Sequence, residues 1–206
     1  MTNYRITTRD REIIKFIEQY DSITINQCAD MFIPNKSSGQ QIARKRLGVL
    51  VKAGYLKVDK TDTGENIYFI DKKLRYHDLL VNSFFIELNK IGAKDIEFTR
   101  HKSWLTQKSI NGSKYLESDG FFKFKYEGYE MYIILEVCYT KKTIPLKKYE
   151  ELYISGDAHN ECNELFPQII VMDSSKHNTE NFYGESENIK IKQVQFDLSD
   201  FPKIFI

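Results

Sequence analysis

The chain has 206 residues, 41% of them hydrophobic and 29% charged, with 10 Gly and 4 Pro. That length builds one large domain or two small ones with their own cores, and it excludes a peptide scaffold; the composition also excludes disordered and collagen-like classes. A formal net charge of +1 hides a division near residue 75, because residues 1–75 carry 14 Lys/Arg against 9 Asp/Glu and residues 76–206 carry 16 against 20.

In chain order, the segment from Arg9 places Ile13, Ile14, Phe16, Ile17 and Tyr20 at helical spacing, with Thr7 or Thr8 available as a cap. Thr24 then caps a short second helix with Ile25, Cys28, Ala29 and Phe32 facing inward, and Pro34 closes the connection. Ser37 or Ser38 opens a third helix that runs to about Ala53 and ends at Gly54. A strand from Gly54 to Val58, a turn through Gly64 and a strand from Asn66 to Ile70 follow. Three helices and a hairpin predict a winged helix-turn-helix domain over residues 1–75.

The third helix carries the functional expectation. From Lys36 to Lys60 there are seven basic residues and one acid, Asp59, which is the electrostatic footprint of phosphate-backbone binding. At 100° per residue, Ala43, Leu47, Leu50 and Val51 fall on one side, and Ser38, Gln41, Arg44, Lys45, Gly48 and Lys52 on the other. Gln41 suits a base edge, Arg44 and Lys45 suit guanine or phosphate, and Ser37 and Ser38 sit where helix N-termini hold phosphate. Gly48, costly inside a helix, lets either a DNA backbone or another protein helix approach closely. Arg46 projects toward the core edge as a structural ion-pair partner. Lys57 and Lys60, on the wing, are expected to contact phosphates. Double-stranded DNA is the expected partner, no cofactor is required for it, and a homodimer on two-fold related half-sites is expected because one short helix reads few base pairs.

From Tyr76 a strongly apolar helix ends at Gly92 and links wing to second domain. Strands are expected around Asp95–Thr99, Phe121–Tyr126, Met131–Tyr139 and Gln168–Met172, with a helix near Lys147–Ser155, a final helix near Thr179 and strands around Ile189–Leu198. These predict a mixed α/β domain over residues 76–206. Asp119, entering the central hairpin, and Glu136, on its return strand beside Tyr132, Ile134 and Cys138, are placed to converge on a divalent cation, with Glu87 as a third carboxylate. The net acidity of this half also suits a basic protein partner. Thirteen tyrosines raise the idea of a strand-nicking nucleophile, but no two-histidine motif accompanies them.

The run Ala43-Arg44-Lys45-Arg46-Leu47, Gly54-Tyr55-Leu56, His77 through Asn82, Trp104, Asp119-Gly120, Leu135-Glu136-Val137 and Leu146-Lys147-Lys148-Tyr149 resembles the replication-relaxation family of Gram-positive plasmids and mobile elements. The resemblance implies an α+β protein, a winged helix joined to a small mixed-sheet, restriction-endonuclease-like PD-(D/E)xK domain, acting in transcriptional regulation or in control of replication or mobilisation. It also implies Glu87, Asp119 and Glu136 as the acidic cluster and Lys147 or Lys148 as the lysine near it. In active nucleases of that fold, the residue two beyond the second acid is lysine; here it is Cys138, which offers no positive charge. Lys147 can substitute from the next helix, giving a Mg²⁺-dependent nuclease or nickase as the alternative to an inactive scaffold.

Cys28, Cys138 and Cys162 are odd in number, widely spaced and without a CxxC pair, so they read as reduced structural thiols. No apolar run approaches the ~20 residues that span a bilayer. Charges at Arg9–Glu12 precede any signal-like run, so a cytoplasmic protein without a membrane partner is expected.

Overall fold

A computed structural model describes residues 5–34, 36–109, 112–139, 146–174 and 186–205. Among these the protein is mixed α+β, with six α-helices, a three-stranded sheet and a five-stranded sheet. It divides into two compact units, Met1–Lys90 and Ile91–Ile206. The expected helix near Thr179 lies outside the described residues.

In the first unit, α1 (Thr8–Tyr20) starts at a capping box, Thr7 accepting from the Asp10 amide while Asp10 accepts from the Thr7 amide. The same device starts α2 (Ile25–Phe32) with Thr24 and Gln27. α3 (Gly39–Lys52) follows, one residue later than its expected serine start, with Ser38 as N-cap and no side-chain cap bond. Gly54 then takes φ +80°, a left-handed turn that ends the helix and suits glycine. Three antiparallel strands complete a small sheet in the order β1 (Ser22–Thr24), β3 (Asn66–Phe69), β2 (Lys57–Lys60). Ile13, Phe16, Ile17, Ile23, Cys28, Ala29, Ala43, Leu47, Leu50 and Ile67 are buried, so all three helices and the middle strand turn apolar faces inward.

The helix expected to open the second domain, α4 (Tyr76–Lys90), belongs to the first unit, and the break falls after Lys90 rather than at residue 75. Two buried amides explain this. Asn82 Nδ2 donates to the Tyr20 and Ser22 carbonyls at 3.2 Å each, and Gln27 Nε2 donates to the Leu79 carbonyl at 2.6 Å and to Ser83 Oγ at 2.9 Å. Buried polar groups that find such partners tie elements together, because releasing them leaves unsatisfied donors.

The second unit is built on a sheet ordered β4 (Lys94–Ser109), β5 (Gly112–Tyr126), β6 (Tyr129–Cys138), β7 (Gln168–Asp173), β8 (Ile191–Gln195). The first three strands form an antiparallel meander; β7 and β8 join in parallel after α5 (Leu146–Ser155) and α6 (Asp157–Glu161). Trp104, Phe121, Tyr132, Ile134, Ile169 and Val171 gather with Tyr149, Leu152 and Ala158 into one core, and a final 3₁₀ turn covers Phe201–Phe205. β4 and β5 run far beyond their expected limits, with Trp104 and Leu116 paired across the ladder inside the core and exposed polar residues beyond them. Among the described residues no helix is long and apolar enough to cross a membrane.

The first unit's core is braced by an ion pair: Arg46 Nε donates to Asp10 Oδ1 at 2.9 Å and Arg46 Nη2 to Asp10 Oδ2. Burial alone raises a carboxyl's pKa, but here Arg46 and the Thr7 hydrogen bonds outweigh it and hold Asp10 below the usual range. The folded state therefore gains stability above the unfolded pKa of about 4, and the gain is lost as pH falls through the lowered folded value. Asp10→Asn is expected to cost about 2 kcal/mol at pH 7 in urea titrations, a loss that shrinks below about pH 4; a loss that does not depend on pH would contradict this account.

Candidate nucleic-acid interface and second-unit acidic pair

The α3 periodicity separates its cations by depth. Ala43, Leu47 and Leu50 are fully buried, and Arg46 turns to Asp10 with its side chain 26% exposed. Gln41, Arg44, Lys45 and Lys52 are exposed on the other side, and none of the last three takes part in an ion pair among the described residues. A Cβ placed on Gly48 would meet nothing within 4 Å, so among the described residues no helix of the chain packs there. The opening leaves room for an outside partner, a DNA backbone or the helix of another protein. Ser37 and Ser38 are both exposed ahead of the first turn.

On the β2–β3 hairpin, Lys57 is exposed and Lys60 Nζ donates to the Gly64 carbonyl across the turn at 3.0 Å. The acid within the basic strip is occupied: Asp59 pairs with Lys73 at 2.7 Å, which, together with the Lys60 amide, holds its carboxyl below the usual range. Asp59 therefore leaves the positive strip largely uncompensated.

In the second unit Asp119 and Glu136 do come together. Gly120 pairs with Leu135, and Asp119 Oδ2 accepts from the Val137 amide at 2.7 Å. The group that α5 sends to Glu136 is Tyr149, whose hydroxyl donates to Glu136 Oε1; Lys147 and Lys148 are exposed on the same helix. Burial first, and then the Glu136 charge, push the Tyr149 phenol well above its ordinary value, so it stays a neutral donor. The spacing of Leu146, Tyr149, Leu152 and Tyr153 carried this signal, since it turns the aromatic inward and both lysines outward.

Cys138, in the position of the nuclease lysine, pairs across the parallel ladder with Asp173, a buried acid that the sequence reading did not single out. Burial, followed by the charges of Asp173, Glu136 and Asp119, raises the Cys138 thiol to about 12. It is a neutral thiol in an acidic setting and brings no cationic charge for an oxyanion. Glu87 lies in the other compact unit, on α4, where it pairs with Lys90 at 2.6 Å. Among the described residues no group of three or more His, Cys, Asp or Glu side chains is placed to hold a metal ion.

No family model matches the chain, and no curated protein or solved structure shows significant similarity to it.

The Tyr149 to Glu136 contact makes a direct prediction. Tyr149→Phe removes a buried donor to a carboxylate and is expected to cost about 1.5–3 kcal/mol in chemical denaturation; a loss below about 0.5 kcal/mol would show that the hydroxyl does no structural work.

Proposed function

We propose that this is a sequence-specific double-stranded-DNA-binding protein of a plasmid or related mobile element, acting in transcriptional regulation or in control of replication or mobilisation. In this reading the first unit is a winged helix, with α3 as recognition helix and the β2–β3 hairpin as wing. The second unit is a PD-(D/E)xK-like scaffold without nuclease activity that serves assembly or a basic protein partner. The observation that carries the reading is the sorting of cations on α3: Arg46 is spent inward on Asp10, while Arg44, Lys45 and Lys52 stay exposed around an open Gly48. A helix held by its own core and cationic on its outer side is the form that enters a major groove, where arginine and glutamine read base edges and lysine meets phosphate. Homodimerisation extends the site to two half-sites.

A second reading, a Mg²⁺-dependent nuclease, has the Asp119–Glu136 juxtaposition in its favour. Against it stand Cys138 at the lysine position and the outward direction of Lys147. No cleavage step is derived from this arrangement.

Arg44→Ala with Lys45→Ala, both exposed, should leave the fold intact and weaken binding to the protein's own upstream DNA by roughly 10²-fold in a mobility-shift assay, at about 1–3 kcal/mol per base contact. Gly48→Ala should raise stability by about 1 kcal/mol while weakening the same complex. Unchanged affinity in both variants would remove α3 as the reading element, and Mg²⁺-dependent cutting of the DNA, abolished by Asp119→Ala, would establish the second reading.

A further inference from the structure

The β4–β5 hairpin does more than complete the sheet. β6 pairs with β5 only from Gly120 to Tyr126, yet β4 and β5 remain paired with each other out to Ser109 and Gly112. The stretch of β5 from Gly112 to Ser118 therefore forms a two-stranded ribbon with β4 whose end lies roughly 26 Å past Gly120, the last β6-paired residue, at about 3.3 Å per residue.

Its base is firmly held. Trp104 is fully buried, its Nε1 donates to Ser118 Oγ at 3.1 Å, the Leu105 amide donates to Asp157 Oδ2 at 2.8 Å, and Lys102 pairs with Glu161 at 2.6 Å. Beyond that anchor the ribbon changes character: Gln107, Lys108, Ser113, Lys114 and Tyr115 are all exposed. A ribbon fixed at its root and polar beyond it is built to reach something outside the unit.

Charge names the partner. The second unit holds 15 Lys/Arg against 18 Asp/Glu, yet from Phe98 to Leu116 there are four basic residues and no acid. The ladder pairs Lys108 with Ser113 and Gln107 with Lys114, so the two lysines stand on opposite faces of the ribbon. Neither makes an ion pair among the described residues. A narrow ribbon with a cation on each face matches a groove with a phosphate wall on each side, and a β-ribbon is one of the two element types that duplex grooves admit.

We propose that the outer part of the β4–β5 ribbon is a second DNA-contacting element, in which Lys108 and Lys114 neutralise backbone phosphates independently of sequence. This rests on the DNA-binding reading of the chain and adds to it a contact from the otherwise acidic unit.

The test is the salt dependence of duplex binding by the full chain, with Lys108→Ala plus Lys114→Ala compared with wild type. Lys190→Ala plus Lys203→Ala, an equal charge change at two other exposed lysines, serves as control. Loss of two phosphate contacts lowers the slope of log K against log salt by about 1.8, which narrows the affinity ratio between 50 and 200 mM salt by roughly tenfold. That drop in the ribbon variant and not in the control supports the proposal. A slope equal to wild type, or a drop shared by the control, overturns it, as does loss of self-association with the slope intact, which would assign the ribbon edge to strand pairing between copies. Failure here with Arg44→Ala/Lys45→Ala still weakening the complex leaves the DNA-binding reading standing, whereas a wild-type chain without salt-dependent duplex binding overturns both.

Discussion

The first unit depends on a single charge pair set between α1 and α3. Asp10 is fully buried, and a carboxylate taken out of water without a partner costs several kcal/mol, so Arg46 has to turn inward to meet it. That fixes the rotation of α3 about its axis. With Arg46 and the Ala43, Leu47, Leu50 row directed to the core, helical geometry sends Arg44, Lys45, Gly48 and Lys52 outward. Asp10 also closes the capping box of α1, so one side chain sets where the first helix starts and how the third is turned. The pair leads from sequence through packing to the exposed cationic surface on which the proposed function rests.

The second unit applies the same electrostatics to a different end. Burial first, and then the charges of Asp173, Glu136 and Asp119, keep the Cys138 thiol neutral, while Asp119 accepts from the Val137 amide and Glu136 from the Tyr149 phenol. A neutral thiol and a buried tyrosine lower the cost of keeping acids on a packed sheet but give no positive charge to a reacting phosphate. On the proposed reading this unit is a scaffold. On the proposal made above, the anchored ribbon would give the acidic unit a part of its own in DNA contact.

Much of this was legible in the sequence, and the exceptions have physical causes. Thr7, one of two candidates with Thr8, and Thr24 mark helix starts because short hydroxyl side chains satisfy first-turn amides locally, and the inward role of Arg46 follows from helical period alone. α4 was assigned to the wrong unit because the bonds that hold it, from Asn82 and Gln27, join residues 52 to 62 positions apart and leave no local pattern. β1 is only three residues long and fully buried, too short to show alternation. The ends of β4 and β5 beyond Trp104 and Leu116 carry little strand signal because Gln107, Lys108, Ser113 and Lys114 are polar on both faces. The charge of Lys147 and Lys148 points to them as candidates, whereas the period of α5 directs Tyr149 inward.

The account stands or falls on whether this chain selects DNA and leaves it whole. The most direct measurement is to incubate the full chain with fragmented genomic and plasmid DNA, with and without Mg²⁺, recover what it holds and footprint the recovered fragments. The account predicts a discrete, uncut, protected site with two half-sites about 10–10.5 base pairs apart centre to centre, the same in both conditions. Recovery of fragments at random, or fragments cleaved only when Mg²⁺ is present, would contradict it.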